Sequence, residues 1–153
     1  MTAHTFDEQS NRQITVLFVE DDSAVRLALV MGLLHRNFKV LEAGDGDEAL
    51  AICRSYEAPI DIVVADVVMP RMWGNEFVSK LEQTRPNMPV LYISGHSEEL
   101  LLSRKVLGGG EAFLPKPFQA KVLAEKIISL LARVRAPAVP QSGDASPATH
   151  TSR

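Results

Sequence analysis

Five short apolar runs alternate with five helical windows along this chain of 153 residues, and this alternation restricts the possible fold more than any other feature. The runs are rich in Val, Ile and Leu, which is typical of parallel strands that are covered on both faces. Parallel strands need crossover connections, which are almost always right-handed. The pattern therefore predicts a three-layer α/β sandwich. Its strands are expected at 15–19, 39–42, 60–65, 90–94 and 112–114, and its helices at 24–35, 47–56, 75–83, 98–107 and 120–135.

Residues that favour turns and helix caps lie where the pattern changes. The sequence Gly-Asp-Gly occupies 44–46 after the second strand, and three glycines occupy 108–110 after the fourth helix. Asp22 and Ser23 are both suitable caps for the first helix. Because such residues end one element and begin the next, they support the predicted boundaries.

The sequence divides into one folded unit and two polar ends. Residues 14–135 carry the whole alternating pattern, and a chain with 46% hydrophobic residues can bury a core of this size without disulfides. Residues 1–13 are polar and aperiodic, which predicts a flexible leader. Residues 136–153 are rich in Pro, Ser and Ala and contain no aromatic side chain, which predicts a disordered tail or linker.

Composition argues against several functional classes. Cys53 is the only cysteine and lies in a helical pattern, so we expect a buried thiol and a reducing compartment. The sequence has no signal peptide and no apolar run near the roughly 20 residues that span a bilayer, which predicts a cytoplasmic protein without membrane contact. A formal net charge of -3 without a basic stripe argues against direct nucleic acid binding.

Charged and hydroxyl side chains stand at the carboxyl ends of four predicted strands. Glu20 and Asp21 follow the first strand, Asp66 the third and Lys116 the fifth, while Ser94 ends the fourth. Ligands of an open parallel sheet bind outside the carboxyl ends of its strands, so these five residues are expected to meet at one edge. Any one of them alone would be an ordinary surface residue, but chance placement of all five is improbable.

This set of residues suits phosphoryl chemistry. Three crowded carboxylates repel each other unless a cation lies among them, and Mg²⁺ is a hard cation that prefers oxygen ligands. We expect Asp21 and Asp66 to be direct ligands and Glu20 to hold a metal-bound water. An Asp carboxylate can also act as a nucleophile. With Lys116 as a fixed positive charge and the Ser94 hydroxyl binding phosphoryl oxygens, the set predicts a metal-assisted phosphoryl acceptor.

The same residues form a combination of motifs that is highly specific. These motifs are Glu20-Asp21, Asp66-Val67-Val68-Met69-Pro70, Ser94-Gly95 and Lys116-Pro117-Phe118. In this order and at these spacings, they closely resemble the receiver domain of two-component response regulators, over about residues 14–135. The resemblance implies a flavodoxin-like (βα)5 fold with the parallel sheet order 2-1-3-4-5.

The resemblance also implies a reaction and its partners. Asp66 would accept a phosphoryl group from a histidine kinase or a histidine phosphotransfer protein, with Mg²⁺ as cofactor. The backbone carbonyl of Val68 would be a further metal ligand. The Lys116-Pro117 peptide bond would be cis, a form that only X-Pro bonds adopt at low cost.

The resemblance further implies how the modified protein would signal. Ser94 and Phe113 would couple Asp66 to a face formed by helix 4, strand 5 and helix 5, which would bind a downstream protein. Phe113 lacks a phenolic hydroxyl, so its switching would depend on packing alone. Val68 and His96 stand two residues beyond Asp66 and Ser94, at positions from which family members influence water attack on the acyl phosphate. The chain would be a phosphorylation-controlled switch that catalyses only its own phosphorylation and dephosphorylation.

Alternative interpretations differ in what they require. An Asp-nucleophile phosphohydrolase of the haloacid dehalogenase type needs a second acid two residues after the nucleophile, where this chain has Val68. An interaction module that is never phosphorylated would not need the complete set of acids, hydroxyl and lysine. The chain could also be a receiver cut from a hybrid histidine kinase, because its sequence around Ser94 and Lys116 resembles that of receivers attached to such kinases. Met1 and the tail favour instead a complete small protein. Trp73 is interpreted as an anchor for helix 3, with a partner contact as the alternative.

Overall fold

A computed structural model describes residues 12–135 of the chain. The tail predicted at 136–153 and all but the last two residues of the leader predicted at 1–13 lie outside the described residues. The proposed division into leader, domain and tail therefore stays a prediction. In the described part of the chain, no helix is both long enough and apolar enough to cross a membrane.

The described residues form five strands and five helices in strict alternation. Their order is β1 (Thr15–Val19), α1 (Ser23–His35), β2 (Lys39–Ala43), α2 (Gly46–Ser55), β3 (Ile62–Asp66), α3 (Gly74–Thr84), β4 (Val90–Ser94), α4 (Glu98–Ser103), β5 (Ala112–Pro115) and α5 (Ala120–Arg135). All neighbouring strands pair in parallel, in the sheet order β2-β1-β3-β4-β5. This confirms the predicted α/β class and the flavodoxin-like order.

Side chains of each central strand alternate between the two faces of the sheet. Val16 and Phe18 of β1 pack with α1 and α5, while Leu17 and Val19 pack with α2 and α3. Every residue of β1 and β3 is buried. Burying one large aliphatic or aromatic side chain contributes roughly 1.5–3 kcal/mol, so this two-sided core holds both central strands rigidly in place. Their carboxyl ends consequently form a firm platform.

The predicted helix over 98–107 is wrong after Ser103. Lys105 adopts a left-handed φ of 58°, and its N-H donates to the Leu102 carbonyl at 3.0 Å. The Val106 N-H donates to the Leu101 carbonyl at 2.9 Å, which completes a Schellman motif. The apolar residues Val106 and Leu107 continue the helical pattern of the sequence. They lie after the end of the helix, however, where they pack in the hydrophobic cluster that contains Leu101.

Two aspartates cap the first two helices. The Asp22 side chain accepts hydrogen bonds from the N-H groups of Ala24 and Val25, and the Asp45 side chain accepts one from Glu48. Asp22 therefore caps α1 in preference to Ser23, which is the first helical residue. Cys53 is a buried free thiol as expected, and burial raises its pKa.

Candidate functional site

Strand order brings the predicted site residues to one edge of the sheet. Glu20 follows β1, Asp66 ends β3, Ser94 ends β4 and Lys116 follows β5. Because β1 and β4 are the two neighbours of β3, their carboxyl ends flank Asp66 on either side. The Lys116 N-H donates to the Ser94 carbonyl at 2.8 Å, which continues the pairing of β4 with β5 past the last strand residue.

Three carboxylates lie together at this edge. Glu20, Asp21 and Asp66 each offer one oxygen, and these oxygens lie within 4.8 Å of one another. Glu20 and Asp66 are buried, with 1% and 6% of their surface exposed, whereas Asp21 is exposed. An all-oxygen donor set with one solvent-facing member fits Mg²⁺, which keeps several waters and uses few carboxylates. Asp21 and Asp66 would hold the ion, with Glu20 at its hydration shell.

Lys116 supplies the positive charge among these acids. Its Nζ donates to Glu20 Oε2 at 2.5 Å and to Asp66 Oδ2 at 2.7 Å. Burial alone lowers the pKa of Lys116, but the hydrogen bonds and charges of Asp66 and Glu20 outweigh burial and raise that pKa above its ordinary value. Lys116 therefore stays charged at neutral pH.

The charged form of Glu20, unlike that of Lys116, is disfavoured by its surroundings. Burial raises the pKa of the Glu20 carboxyl, and the neighbouring Asp66 charge adds to this, while the hydrogen bond from Lys116 opposes it. One ammonium therefore offsets only part of the cost of burying two carboxylates. A second cation at this edge would be electrostatically favoured.

Different groups hold the two oxygens of the Asp66 carboxylate. The Val68 N-H donates to Oδ1 at 3.0 Å, and Lys116 binds Oδ2. The loop after β3 turns back tightly, because the Gly74 N-H donates to the Val67 carbonyl at 2.8 Å. A Cβ on Gly74 would lie 2.7 Å from the Asp66 carbonyl oxygen, so only glycine permits this approach. This glycine lies directly before the predicted third helix, and the sequence pattern alone does not indicate its close contact with β3.

The remaining predicted residues lie near this centre. Ser94 is fully buried, and its Oγ accepts a hydrogen bond from the His96 N-H at 3.0 Å. Phe113 pairs with Tyr92 in the sheet register and packs with the cluster that includes Leu101 of α4. The Lys116-Pro117 peptide bond is cis, as the resemblance implied.

Trp73 combines features of both interpretations given for it. It precedes α3 directly, and 41% of its surface is exposed. It lines a cavity of about 150 Å³ between the loop after β3 and α4, together with Val68 and His96. Trp73 is therefore the last residue of the loop that follows Asp66, and it still presents part of its ring to solvent.

Arg26 is a component of the site that the sequence reasoning missed. Its Nη1 donates to the backbone carbonyl of Glu20 at 2.6 Å, and its Nε lies 3.7 Å from Glu42 Oε1. Arg26 stands one helical turn after Asp22, which places it at the same end of α1 as the acids. That spacing is the signal that could have indicated it.

Comparisons with known proteins agree on one family. The family profile described as the response regulator receiver domain matches residues 16–128. The sensor kinase CckA of Brucella abortus (strain 2308) is 40% identical over 117 residues, which are 76% of this chain and 12% of that protein. The response regulator MprA of Mycobacterium sp. (strain KMS) is 35% identical over 138 residues, which are 88% of this chain and 56% of that protein. The match thus spans about half or less of the length of these relatives.

The chain is also similar in three-dimensional structure to a solved receiver domain. The receiver domain of the hybrid histidine kinase CckA superimposes with a TM-score of 0.64 and is 38% identical. The superposition covers 76% of this chain and 98% of that one. The likeness is therefore to a whole receiver domain.

Proposed function

The chain belongs to the response regulator receiver domain family of two-component systems, and we propose that Asp66 is its phosphoacceptor. The observation that carries this assignment is the position of Lys116, whose ammonium binds Asp66 and Glu20 at once. Asp66 thereby has one oxygen beside a fixed positive charge, at an edge where Asp66 and Asp21 can hold Mg²⁺ with Glu20 beside them. Phosphoryl transfer depends mainly on such positioning and charge neutralisation.

In the proposed reaction, a carboxylate oxygen of Asp66 attacks the phosphorus of a phosphohistidine. The new P-O bond forms as the P-N bond breaks, and the imidazole nitrogen leaves with the bonding electron pair. The donor is a histidine kinase or a histidine phosphotransfer protein. When bound, Mg²⁺ would neutralise charge that develops on the phosphoryl oxygens. Lys116 and the Ser94 hydroxyl would bind the same oxygens after transfer.

The proposed output surface is the face formed by α4, β5 and α5. Among the six residues of α4 only Leu101 is buried, so this helix is held by few contacts. Phe113 and Leu101 share a cluster with Val67, the residue directly after Asp66. A change at Asp66 can therefore reach α4 through neighbouring side chains, and the modified protein would bind a downstream protein partner preferentially.

Incubation with acetyl phosphate and Mg²⁺, followed by intact mass measurement, tests this assignment. One phosphoryl group should be added, and it should be released by hydroxylamine, as expected for an acyl phosphate. Asp66→Asn should abolish the adduct. Asp47→Asn, which changes an exposed acid on α2, is the matched control and should leave the adduct unchanged.

Two results would contradict the proposal. A phosphoryl group on any residue other than Asp66 would remove its central assignment. Steady release of phosphate from small phosphomonoesters would instead favour the phosphohydrolase alternative. That alternative is disfavoured by the sequence, because such enzymes need an acidic residue where this chain has Val68.

A further inference from the structure

Asp21 differs from the other two acids at this edge in how its side chain is held. Lys116 binds both Glu20 and Asp66, and the Val68 N-H donates to Asp66 as well. Asp21 is exposed to solvent, so the place of its carboxylate depends on the backbone that carries it. Whatever fixes the backbone between β1 and α1 therefore fixes one of the two expected Mg²⁺ ligands.

Arg26 fixes that backbone from the first turn of α1. Its Nη1 donates to the Glu20 carbonyl at 2.6 Å, and its backbone N-H donates to the Asp22 carbonyl at 2.9 Å. The Arg26 side chain is 23% exposed, so its charged hydrogen bond is partly shielded from water. The Glu20 carbonyl belongs to the peptide group that joins Glu20 to Asp21. Arg26 therefore sets the orientation of this peptide group.

The guanidinium of Arg26 is itself held in place. Its Nε lies 3.7 Å from Glu42 Oε1, near the carboxyl end of β2. A Cβ on Gly44 would lie 3.3 Å from Nη1, so the glycine leaves room for the guanidinium. The Glu20 N-H donates to the Ala43 carbonyl at 3.1 Å, which also ties this backbone to β2. Arg26 thus joins α1 and the end of β2 to the acidic turn after β1.

We propose that Arg26 positions Asp21 for binding Mg²⁺. This inference rests on the proposed metal site, and it adds a positioning residue outside the three carboxylates. Two effects of Arg26 oppose each other. Its positive charge repels a cation at this edge, although Glu42 balances part of that charge. Its hydrogen bond to the Glu20 carbonyl holds Asp21 ready for the ion. The second effect exceeds the first, because groups that orient metal ligands typically change metal affinity by about 10–100-fold.

Calorimetric titration of the full chain with MgCl₂ tests this role. Arg26→Met removes both the hydrogen bond and the charge, and it should weaken Mg²⁺ binding about tenfold. Loss of the charge alone would strengthen binding, so the direction of the change separates positioning from electrostatics. Arg36→Met is the matched control. Arg36 also donates to a backbone carbonyl, that of Gly32 at 2.9 Å, but at the other end of α1, so its loss should leave Mg²⁺ binding unchanged.

Arg26→Lys tests the hydrogen bond without a change of charge. Lysine keeps one donor group but not the forked guanidinium that reaches the Glu20 carbonyl and Glu42 together. Its Mg²⁺ affinity should therefore lie between those of the wild type and Arg26→Met. Near-UV circular dichroism shows whether each variant is folded. If Arg26→Met does not fold, weaker binding by Arg26→Lys than by the wild type carries the same test.

Several results would overturn the positioning role while the metal site stands. These are unchanged or tighter Mg²⁺ binding by a folded Arg26→Met protein, equal weakening by Arg36→Met, and an Arg26→Lys affinity outside the expected range. A wild type that binds no Mg²⁺ would remove the metal site, and the role of Arg26 with it. The titration uses no phosphodonor, so its outcome is separate from the test of Asp66 as phosphoacceptor.

Discussion

Asp66 ends a fully buried strand, yet its carboxylate meets one backbone N-H and one ammonium. This environment sets two requirements on the neighbouring residues. Lys116 must remain charged, which the acids around it ensure. Lys116 neutralises only part of the negative charge of the three carboxylates, so the proposed Mg²⁺ would balance the remainder, and Asp21 is the member of the set that faces solvent.

Mg²⁺ is therefore expected to stabilise the folded protein, and Asp21→Asn should remove most of that effect. An ion that binds only the folded state raises the free energy of unfolding by about 2.7 kcal/mol at a hundredfold excess over its Kd. Thermal denaturation with and without Mg²⁺ measures the difference. Asp22→Asn is the control, because asparagine caps a helix as well as aspartate does and α1 stays intact.

A melting temperature of the wild type that does not respond to Mg²⁺ would count against the metal site. An equal loss of the response in Asp22→Asn and Asp21→Asn would show that general acidity at this edge, and not the specific ligand, binds the ion.

The packing of α1 against α5 depends on one glycine, Gly32. A Cβ on Gly32 of α1 would lie 2.2 Å from the Cβ of Ala120, the first residue of α5. Two helices that cross at this distance need a residue without a side chain at the contact. The glycine therefore serves packing, although it weakens the helix by about 1 kcal/mol relative to alanine.

Gly32→Ala is expected to destabilise the protein, by a net of about 1 kcal/mol, because the packing clash of roughly 1–3 kcal/mol exceeds the gain in helix propensity. Urea denaturation measures this change. The double variant Gly32→Ala/Ala120→Gly returns the missing space and should recover much of the loss. A more stable single variant would mean that the two helices separate easily.

The connection from α4 to β5 depends on Glu111. Its carboxylate accepts hydrogen bonds from the N-H groups of Gly108 and Gly109, each at 2.8 Å. Burial alone would raise the pKa of Glu111, but these backbone hydrogen bonds outweigh burial and lower it below the ordinary value of 4.5. The charged form of Glu111 thus fixes the glycine turn that precedes β5.

This direction of the pKa shift sets the sign of a pH effect. A carboxyl whose pKa is lowered on folding contributes stability above its unfolded pKa and loses that contribution as pH falls through the folded value. Glu111→Gln should therefore destabilise the protein at neutral pH, by up to about 1 kcal/mol for this partly exposed group, and much less in acid. Urea denaturation at several pH values checks this, with the exposed Glu125→Gln of α5 as control. A loss that is equal at every pH would contradict the role of the charge.

For the molecule as a whole, the arrangement of strands and helices was predictable from the sequence, because the same local pattern repeats five times along the chain. Strand and helix alternation predicted the α/β class, and the acids at strand ends predicted which edge of the sheet carries the acidic cluster. The contacts of Gly32, Gly74 and Arg26 were not predictable, because each depends on how distant segments approach one another in space. The end of α4 was missed because Val106 and Leu107 are apolar in a helical period although the chain has already turned.

The opposite edge of the sheet, at the amino ends of the strands, has a charged centre of its own. Asp61 precedes β3, and its side chain is only 5% exposed. Its carboxylate accepts the Thr15 N-H at 2.8 Å, Arg12 at 2.5 Å and Arg135 at 2.9 Å. One aspartate therefore joins the start of β1 and the end of α5 to the centre of the sheet.

Asp61→Asn is expected to lower the free energy of unfolding by roughly 1 kcal/mol, because it weakens the hydrogen bonds of two guanidinium groups that are themselves half exposed to water. Since this aspartate lies at the edge away from Asp66, the rate of phosphorylation by acetyl phosphate should stay unchanged. Denaturation and phosphorylation of the same variant measure both quantities, with Asp47→Asn as the control for loss of one negative charge. A slower phosphorylation in a folded Asp61→Asn protein would contradict the independence of the two edges, and would mean that the rigidity of β3 transmits changes from Asp61 to the acceptor.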